Sequence, residues 1–144
     1  MARLRLLPLI SILTLLLSGC GETPEILAIV KAGKLRSTTK AIGEAFEAAF
    51  PGGTWTADMT GMGMGEMYTH FRSSITAEAL EASGVPPIDR KNCMDGVKSP
   101  CRIPVSFDFT LAPDFRTINL AEVKAPEPMK SGEQLDAVLA FVYR

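Results

Sequence analysis

The sequence has few of the residues that most often carry chemistry. Its 144 residues include one histidine and three cysteines, with no Cys-x-x-Cys pair among them. No Gly-x-Ser-x-Gly nucleophile motif occurs, and His70 is the one imidazole that a general base would have to use. These absences exclude the common redox and serine-hydrolase signatures, and we interpret the chain as a protein that is not an enzyme.

The charged residues of the two signs are interspersed along the sequence. Fifteen basic residues stand against sixteen acidic ones, and they form neither a block of like charge nor a basic stripe. Proteins that bind nucleic acid usually carry such a stripe. We therefore expect no nucleic-acid partner.

The longest apolar run, residues 6–17, is too short for a permanent membrane span. A dozen helical residues rise about 18 Å, whereas a bilayer core is about 30 Å thick. Arg3 and Arg5 precede the run, and the small residues Ser18 and Gly19 follow it. A charged start, an apolar middle and a small-residue end are typical of a secretory signal peptide, here residues 1–19.

The end of this leader, Leu17-Ser18-Gly19-Cys20, resembles the lipobox of bacterial lipoprotein precursors at every position. The resemblance implies a diacylglyceryl thioether on Cys20, cleavage before Cys20 and acylation of the new N-terminus. Gly21 follows, which in a Gram-negative cell implies delivery to the outer membrane. The alternatives are an ordinary secreted protein whose signal ends in cysteine, or an uncleaved N-terminal helix.

With Cys20 lipidated, Cys93 and Cys101 are the two remaining thiols. A pair of cysteines in an oxidising compartment predicts a disulfide, with free or metal-binding thiols as the alternative. Closing so short a loop stabilises a fold by about 2–3 kcal/mol on the chain-entropy account.

Helical periodicity marks four segments. We expect a short lipidated tether over residues 20–25 and a helix over 25–32. Ser37, Thr38 and Thr39 offer cap oxygens for a second helix. Its apolar stripe is Ile42, Phe46, Ala49 and Phe50. A third helix is predicted over residues 76–83. A fourth begins at the capping-box pair Ser131 and Gln134, with the stripe Leu135, Val138, Leu139 and Val142.

Alternating apolar residues predict four strands, over residues 54–59, 66–75, 102–111 and 115–123. In the second, Met67, Phe71 and Ile75 are expected to point inward, and Pro104 is expected at the start or edge of the third. Residues 85–101 form an irregular insert that the disulfide braces. The prediction is one α+β domain over residues 26–144. Its four-stranded antiparallel sheet carries the N- and C-terminal helices on one face, in a cystatin-like or similar form.

A weaker resemblance runs from Val30 to Trp55. The segments Val30-Lys31-x-Gly33-x-Leu35 and Ile42-Gly43-x-Ala45-Phe46 look like the opening of small exported bacterial proteins of unknown function. That likeness implies no activity.

A methionine cluster is the chief candidate metal site. It consists of Met59, Met62, Met64 and Met67, with His70 close by. Thioethers suit Cu(I), and an imidazole can complete such a site. Methionines also fill gaps in cores, however, and strand parity places His70 on the opposite face from Met67. We therefore expect core packing, with a metal site or a partner-contact surface as the alternatives.

The carboxylates and the single tryptophan are also expected to have structural and not catalytic roles. Asp108, Asp114 and Glu122 are expected on a solvated face, and Trp55 is expected to anchor the core.

Together these observations predict a membrane-anchored lipoprotein whose domain binds a protein partner of unknown identity, without a cofactor. The insert is the expected contact element because a braced loop is preorganised. The alternatives are a Cu(I)-handling protein that uses the methionine cluster, and an inhibitor or exclusion factor carried by a mobile element.

Overall fold

The computed structural model describes residues 22–36, 38–58, 65, 67–96, 99–129 and 132–144, with the side chains of residues 22–24 excepted. The described helices are α1 (Glu22–Ala32), α2 (Ile42–Ala49), α3 (Ala77–Ala82) and α4 (Gly132–Val142). The described strands are β1 (Thr54–Asp58), β2 (Met67–Thr76), β3 (Arg102–Leu111) and β4 (Ile118–Lys124). The prediction of an α+β fold is confirmed.

The four strands form one antiparallel sheet in the order β1-β2-β3-β4. Residues that are register partners share a face, so Phe71, Phe107 and Val123 lie in one cross-strand row of the inner face. The adjacent row, Thr56, His70, Asp108 and Glu122, lies on the outer face. The helices α1, α2 and α4 pack on the inner face, as predicted, whereas the cystatin-like form stays a prediction.

The core is centred on Phe46 of α2, which is fully buried. Its ring meets Phe107 edge-on at a centroid distance of 4.8 Å and Phe109 at 5.2 Å. Truncating a buried phenylalanine to alanine typically costs 3–5 kcal/mol, so this ring is a principal link between the helices and the sheet. Trp55 packs on Phe71 at 4.7 Å and anchors the β1 side of the same cluster.

The helix α1 is part of this core, since Ile26 is 4% exposed and Val30 is fully buried. It crosses α2 closely because Gly43 has no side chain. A Cβ there would lie 2.9 Å from Cβ of Lys31. The Ile42 amide donates to the Gly33 carbonyl at 2.8 Å and fixes the connection between the two helices.

Two helix starts differ from the prediction. The first helix begins at Glu22 rather than at residue 25, so most of the predicted tether is helical. The cap of α2 is Ala41, which has no side-chain hydrogen bond, and the Thr38 hydroxyl instead donates to the Leu35 carbonyl. Ser37 and Ser131 lie outside the described residues.

The strand β4 begins at Ile118, so the prediction of a strand from residue 115 is wrong at its start. Phe115 has a positive φ of 56° and lies 53% exposed in the turn after β3. The Asp114 carboxylate holds this turn by accepting from the Arg116 and Thr117 amides, both at 2.8 Å.

The other strand predictions agree with the structure. Met67, Phe71 and Ile75 are buried on the inner face of β2. Pro104 pairs with Ser74 before β4 joins β3 at Ser106, so it lies at the start of its strand as expected.

Candidate functional site

The insert, residues 85–101, is fastened at its C-terminal end. The predicted Cys93–Cys101 disulfide is formed, and Cys101 is 2% exposed. The Met94 amide donates to the Arg102 carbonyl at 2.7 Å, and the Ala77 amide donates to the Cys101 carbonyl at 2.7 Å. The end of the loop is therefore tied to both β3 and α3.

An ion pair fastens the middle of the insert. Arg90 Nη1 and Nη2 donate to Oε1 and Oε2 of Glu81 on α3, at 2.8 and 2.9 Å. The Ile88 amide adds a 2.8 Å bond to the same carboxylate. The Arg90 hydrogen bond, followed by the Ile88 amide bond, holds the pKa of Glu81 below its ordinary value.

Residues Arg90–Asn92 form a short 3₁₀ turn, which begins at the ion-paired Arg90 and ends just before Cys93. Asp89 caps it by accepting from the Lys91 amide at 3.0 Å. The predicted irregular insert therefore contains one short ordered element at its centre.

A groove separates the insert from the segment that joins β4 to α4. Its volume is about 430 Å³. The lining residues are Val85, Pro86, Pro87, Ile88, Asp89, Lys91, Asn92, Ala125, Pro126, Glu127, Pro128, Met129 and Gln134. Four prolines give both walls rigid apolar surface without amide donors, while Asp89, Lys91 and Glu127 supply charge.

The second wall of the groove is also held by backbone bonds. Residues 125–129 fold back along β4, where Lys124 and Pro128 form an isolated bridge. The Met129 amide donates to the Val123 carbonyl at 2.8 Å, and the Ala125 amide donates to the Glu127 carbonyl at 3.0 Å. The sequence predicts no role for this wall, because its proximity to the insert arises from the strand order.

Met94 projects from the insert into solvent and is 61% exposed, although methionine is an apolar residue. Among the described residues, Phe115 is the other large apolar side chain with such exposure. Met94 therefore adds apolar contact surface to the insert beyond the groove.

The outer face of the sheet brings two of the expected carboxylates together with the histidine. His70 Nδ1 lies 2.7 Å from Asp108 Oδ1, and Glu122 is the register partner of Asp108 on β4. Lys124 Nζ contacts Glu122 at 3.0 Å. Asp114 is not part of this row, because it closes the β3–β4 turn.

A carboxylate-oriented imidazole has the geometry of a general base. No hydrogen bond joins His70 to a serine hydroxyl or a thiol within the part of the chain that the structure describes. The sequence missed the His70–Asp108 pair, although the parity of both residues in adjacent predicted strands was a usable signal.

The methionine cluster falls largely outside the described residues, since Met59, Met62 and Met64 all lie there. Met67 is 8% exposed on the inner face, and His70 lies on the outer face, as its parity predicted. The described residues contain no group of three or more His, Cys, Asp or Glu side chains that could hold a metal ion.

Cys20 and the predicted leader also precede the described residues. Among the helices from residue 22 onward, none combines the length and apolarity needed to cross a membrane. The sequence matches no protein-family model, no curated protein and no solved structure.

Proposed function

We propose that this chain is an exported lipoprotein, held to a membrane by lipid on Cys20, whose domain binds a protein partner in the groove beside the insert. The supporting sequence feature is the leader that ends in Leu17-Ser18-Gly19-Cys20. In a Gram-negative cell the proposed location is the outer membrane. The proposed role involves no catalytic step and no cofactor.

The observation that carries the binding role is the fixation of both walls of the groove. The Cys93–Cys101 disulfide and the Glu81–Arg90 pair hold one wall, and the fold-back along β4 holds the other. A loop that is ordered before binding avoids part of the entropy loss that association otherwise costs. Such a groove suits recognition of a projecting segment of another protein.

The expected interface is larger than the groove alone. A stable interface buries about 800 Å² on each partner. The exposed Met94, two residues after the groove-lining Asn92, is the natural extension of the contact surface, because buried interface centres are enriched in methionine and aromatic side chains. The partner is therefore expected to place polar as well as apolar groups in the groove, where Asp89, Lys91 and Glu127 lie, and an apolar side chain against Met94.

A steric block of the groove tests the proposal. Asn92 lines the groove from the exposed end of the 3₁₀ turn, so Asn92→Trp is expected to fill the groove without disturbing the core. Arg116→Trp places the same side chain on the exposed β3–β4 turn and serves as the matched control. Both full-length variants are expressed in the native host, and complexes are isolated from cross-linked membranes.

The expected result is that Arg116→Trp retains the cross-linked partner protein and Asn92→Trp loses it. Equal retention by both variants would remove the groove from the proposal. The mass of the N-terminal peptide released from the mature protein tests the lipid anchor separately. A terminus at Cys20 without the added acyl mass would contradict the lipoprotein assignment.

A further inference from the structure

We infer that the anchored domain has no tether and rests directly against the membrane surface through the end of the molecule at which α1 begins. The inference rests on the proposed lipid at Cys20. The sequence alone predicts instead a short tether over residues 20–25 that lets the domain clear the membrane surface.

The number of residues between Cys20 and the core limits how far the domain can lie from the lipid anchor. Glu22, the first residue of α1, follows Cys20 by two residues, and the buried Ile26 follows it by six. Two extended residues reach about 7 Å, and the first helical turn adds about 6 Å, so Ile26 lies about 13 Å from the anchor. Even six fully extended residues would reach at most about 21 Å.

The helix α1 cannot act as a stalk that stands away from the domain. Val30 is fully buried, and Lys31 Nζ pairs with Glu47 Oε1 of α2 at 2.6 Å. A side chain at Gly43 would collide with Lys31, which shows how closely α1 and α2 approach. Releasing α1 would therefore expose core surface, so the helix and the sheet move as one body.

The short connection also limits how far the groove can operate from the membrane. A domain of this size has a radius of gyration of about 14 Å, which corresponds to a diameter of about 35 Å. A partner must therefore reach its binding surface within about 35–50 Å of the bilayer, allowing for the connection. An integral membrane protein or a second membrane-held protein fits that limit.

Trp55 can report the distance between the domain and the bilayer by fluorescence, because it is the only tryptophan in the chain. Lys31 Nζ, in the last turn of α1, lies 5.9 Å from the centre of the Trp55 ring. Adding the connection of about 7 Å, the length of α1 of about 16 Å and the Lys31 side chain of about 6 Å places Trp55 within about 35 Å of the anchor. Energy transfer from tryptophan to a dansyl group on lipid headgroups falls steeply with distance in this range.

The test compares the mature lipidated protein with a variant that carries twelve Gly/Ser residues between Gly21 and Glu22. Such a linker has a root-mean-square length of about 19 Å. Both proteins are reconstituted into phosphatidylcholine vesicles that contain dansyl-phosphatidylethanolamine, and a Trp55→Phe variant supplies the background. Flotation of the vesicles is measured first, because it reports the anchor alone, and circular dichroism confirms that the linker leaves the helices intact.

Strong transfer in the parent protein, lowered by about two-fold or more in the linker variant, supports close seating. If both proteins float and their transfer is equal, the short connection does not set the distance and the inference is overturned. If the parent protein does not float, the lipid anchor itself is wrong. The failure of the inference and the failure of the proposed function are therefore separate results.

Discussion

Arg90 and Glu81 make a two-bond ion pair, at 2.8 and 2.9 Å, that couples the insert to α3. The pair spans nine positions of the chain and joins a loop to a helix of the domain. Because the Ile88 amide also bonds to Glu81, this carboxylate controls how the groove-lining backbone lies. The geometry of the groove therefore depends on α3 as well as on the disulfide.

Removing the guanidinium should loosen the insert. In Arg90→Ala, Glu81 keeps the Ile88 amide but loses both side-chain donors, so the Ile88 and Asn92 amides should exchange with solvent faster than in the parent protein. Hydrogen exchange followed by NMR measures this directly. Arg116→Ala, a change in the exposed β3–β4 turn, is the control and should leave both amides unaffected. Unchanged exchange in Arg90→Ala would show that the disulfide alone holds the insert.

The disulfide is expected to contribute about 2–3 kcal/mol, because it closes a loop of only eight residues. In the double variant Cys93→Ala and Cys101→Ala, the free energy of unfolding in urea should fall by that amount while the helix and strand content stays the same. Alanine is preferred to serine because Cys101 is buried and a hydroxyl there would lack a partner. Reduction of the unmodified protein serves as the control and should give the same loss. A chain that unfolds outright after either treatment would contradict this estimate.

Asp114 should give the β3–β4 turn a characteristic pH dependence. Bonds from the Thr117 hydroxyl, the Thr117 amide and the Arg116 amide lower the pKa of Asp114 to about 2. A lowered carboxyl pKa contributes stability above the unfolded value of 3.8, and that contribution disappears as the pH falls through about 2. The carboxyl resonance of Asp114 should therefore titrate near 2 by NMR. Asp114→Asn should be less stable than the parent protein at pH 7, and the difference should shrink towards pH 2. A difference that is independent of pH would contradict the assignment.

Gly53 is expected to tolerate no side chain. A Cβ at this position would lie 2.1 and 2.5 Å from two atoms of the Phe71 ring, which is fully buried. Overpacking of this kind typically costs about 1–3 kcal/mol, so Gly53→Ala should lower the free energy of unfolding by that amount. Gly132→Ala is the control, because no atom of the described residues lies within 4 Å of its Cβ position. A neutral Gly53→Ala would mean that the ring has more freedom than its packing suggests.

The fold was predictable from the sequence where a strand or helix buries only one face, because its apolar residues then recur with a regular period. The apolar residues 103, 105, 107, 109 and 111 alternate with four polar residues and Pro104, and all five are buried in β3. The errors occur where polar side chains bond locally. The predicted strand begins at Phe115, but the three bonds to Asp114 favour a turn at that position. Similarly, Thr38 bonds back to Leu35 and does not cap α2.

The groove was only half predictable. The spacing of Cys93 and Cys101 indicated a braced insert, and the disulfide is present. The opposite wall lies more than thirty residues further along the chain, and the fold-back along β4 places it beside the insert. Hydrophobic periodicity describes each segment separately, so it cannot predict which distant segments contact one another. The Glu81–Arg90 pair could not be predicted for the same reason.

The placement of Met67 leads to a prediction about copper. Its side chain is buried beneath the helices, whereas His70 lies on the outer face and bonds to Asp108 at 2.7 Å. One ion could bind both side chains only if the sheet were unpacked, which the burial of neighbouring Phe71 opposes. In a competition titration with a chromophoric chelator, Met67→Leu should therefore bind Cu(I) within about two-fold of the parent protein. The substitution conserves volume, so the free energy of unfolding should change by less than about 1.5 kcal/mol. His70→Ala is the matched control on the opposite face. A ten-fold loss of Cu(I) affinity in Met67→Leu, with an intact fold, would mean that the thioether reaches metal after all, and the copper-handling alternative would then displace the binding role.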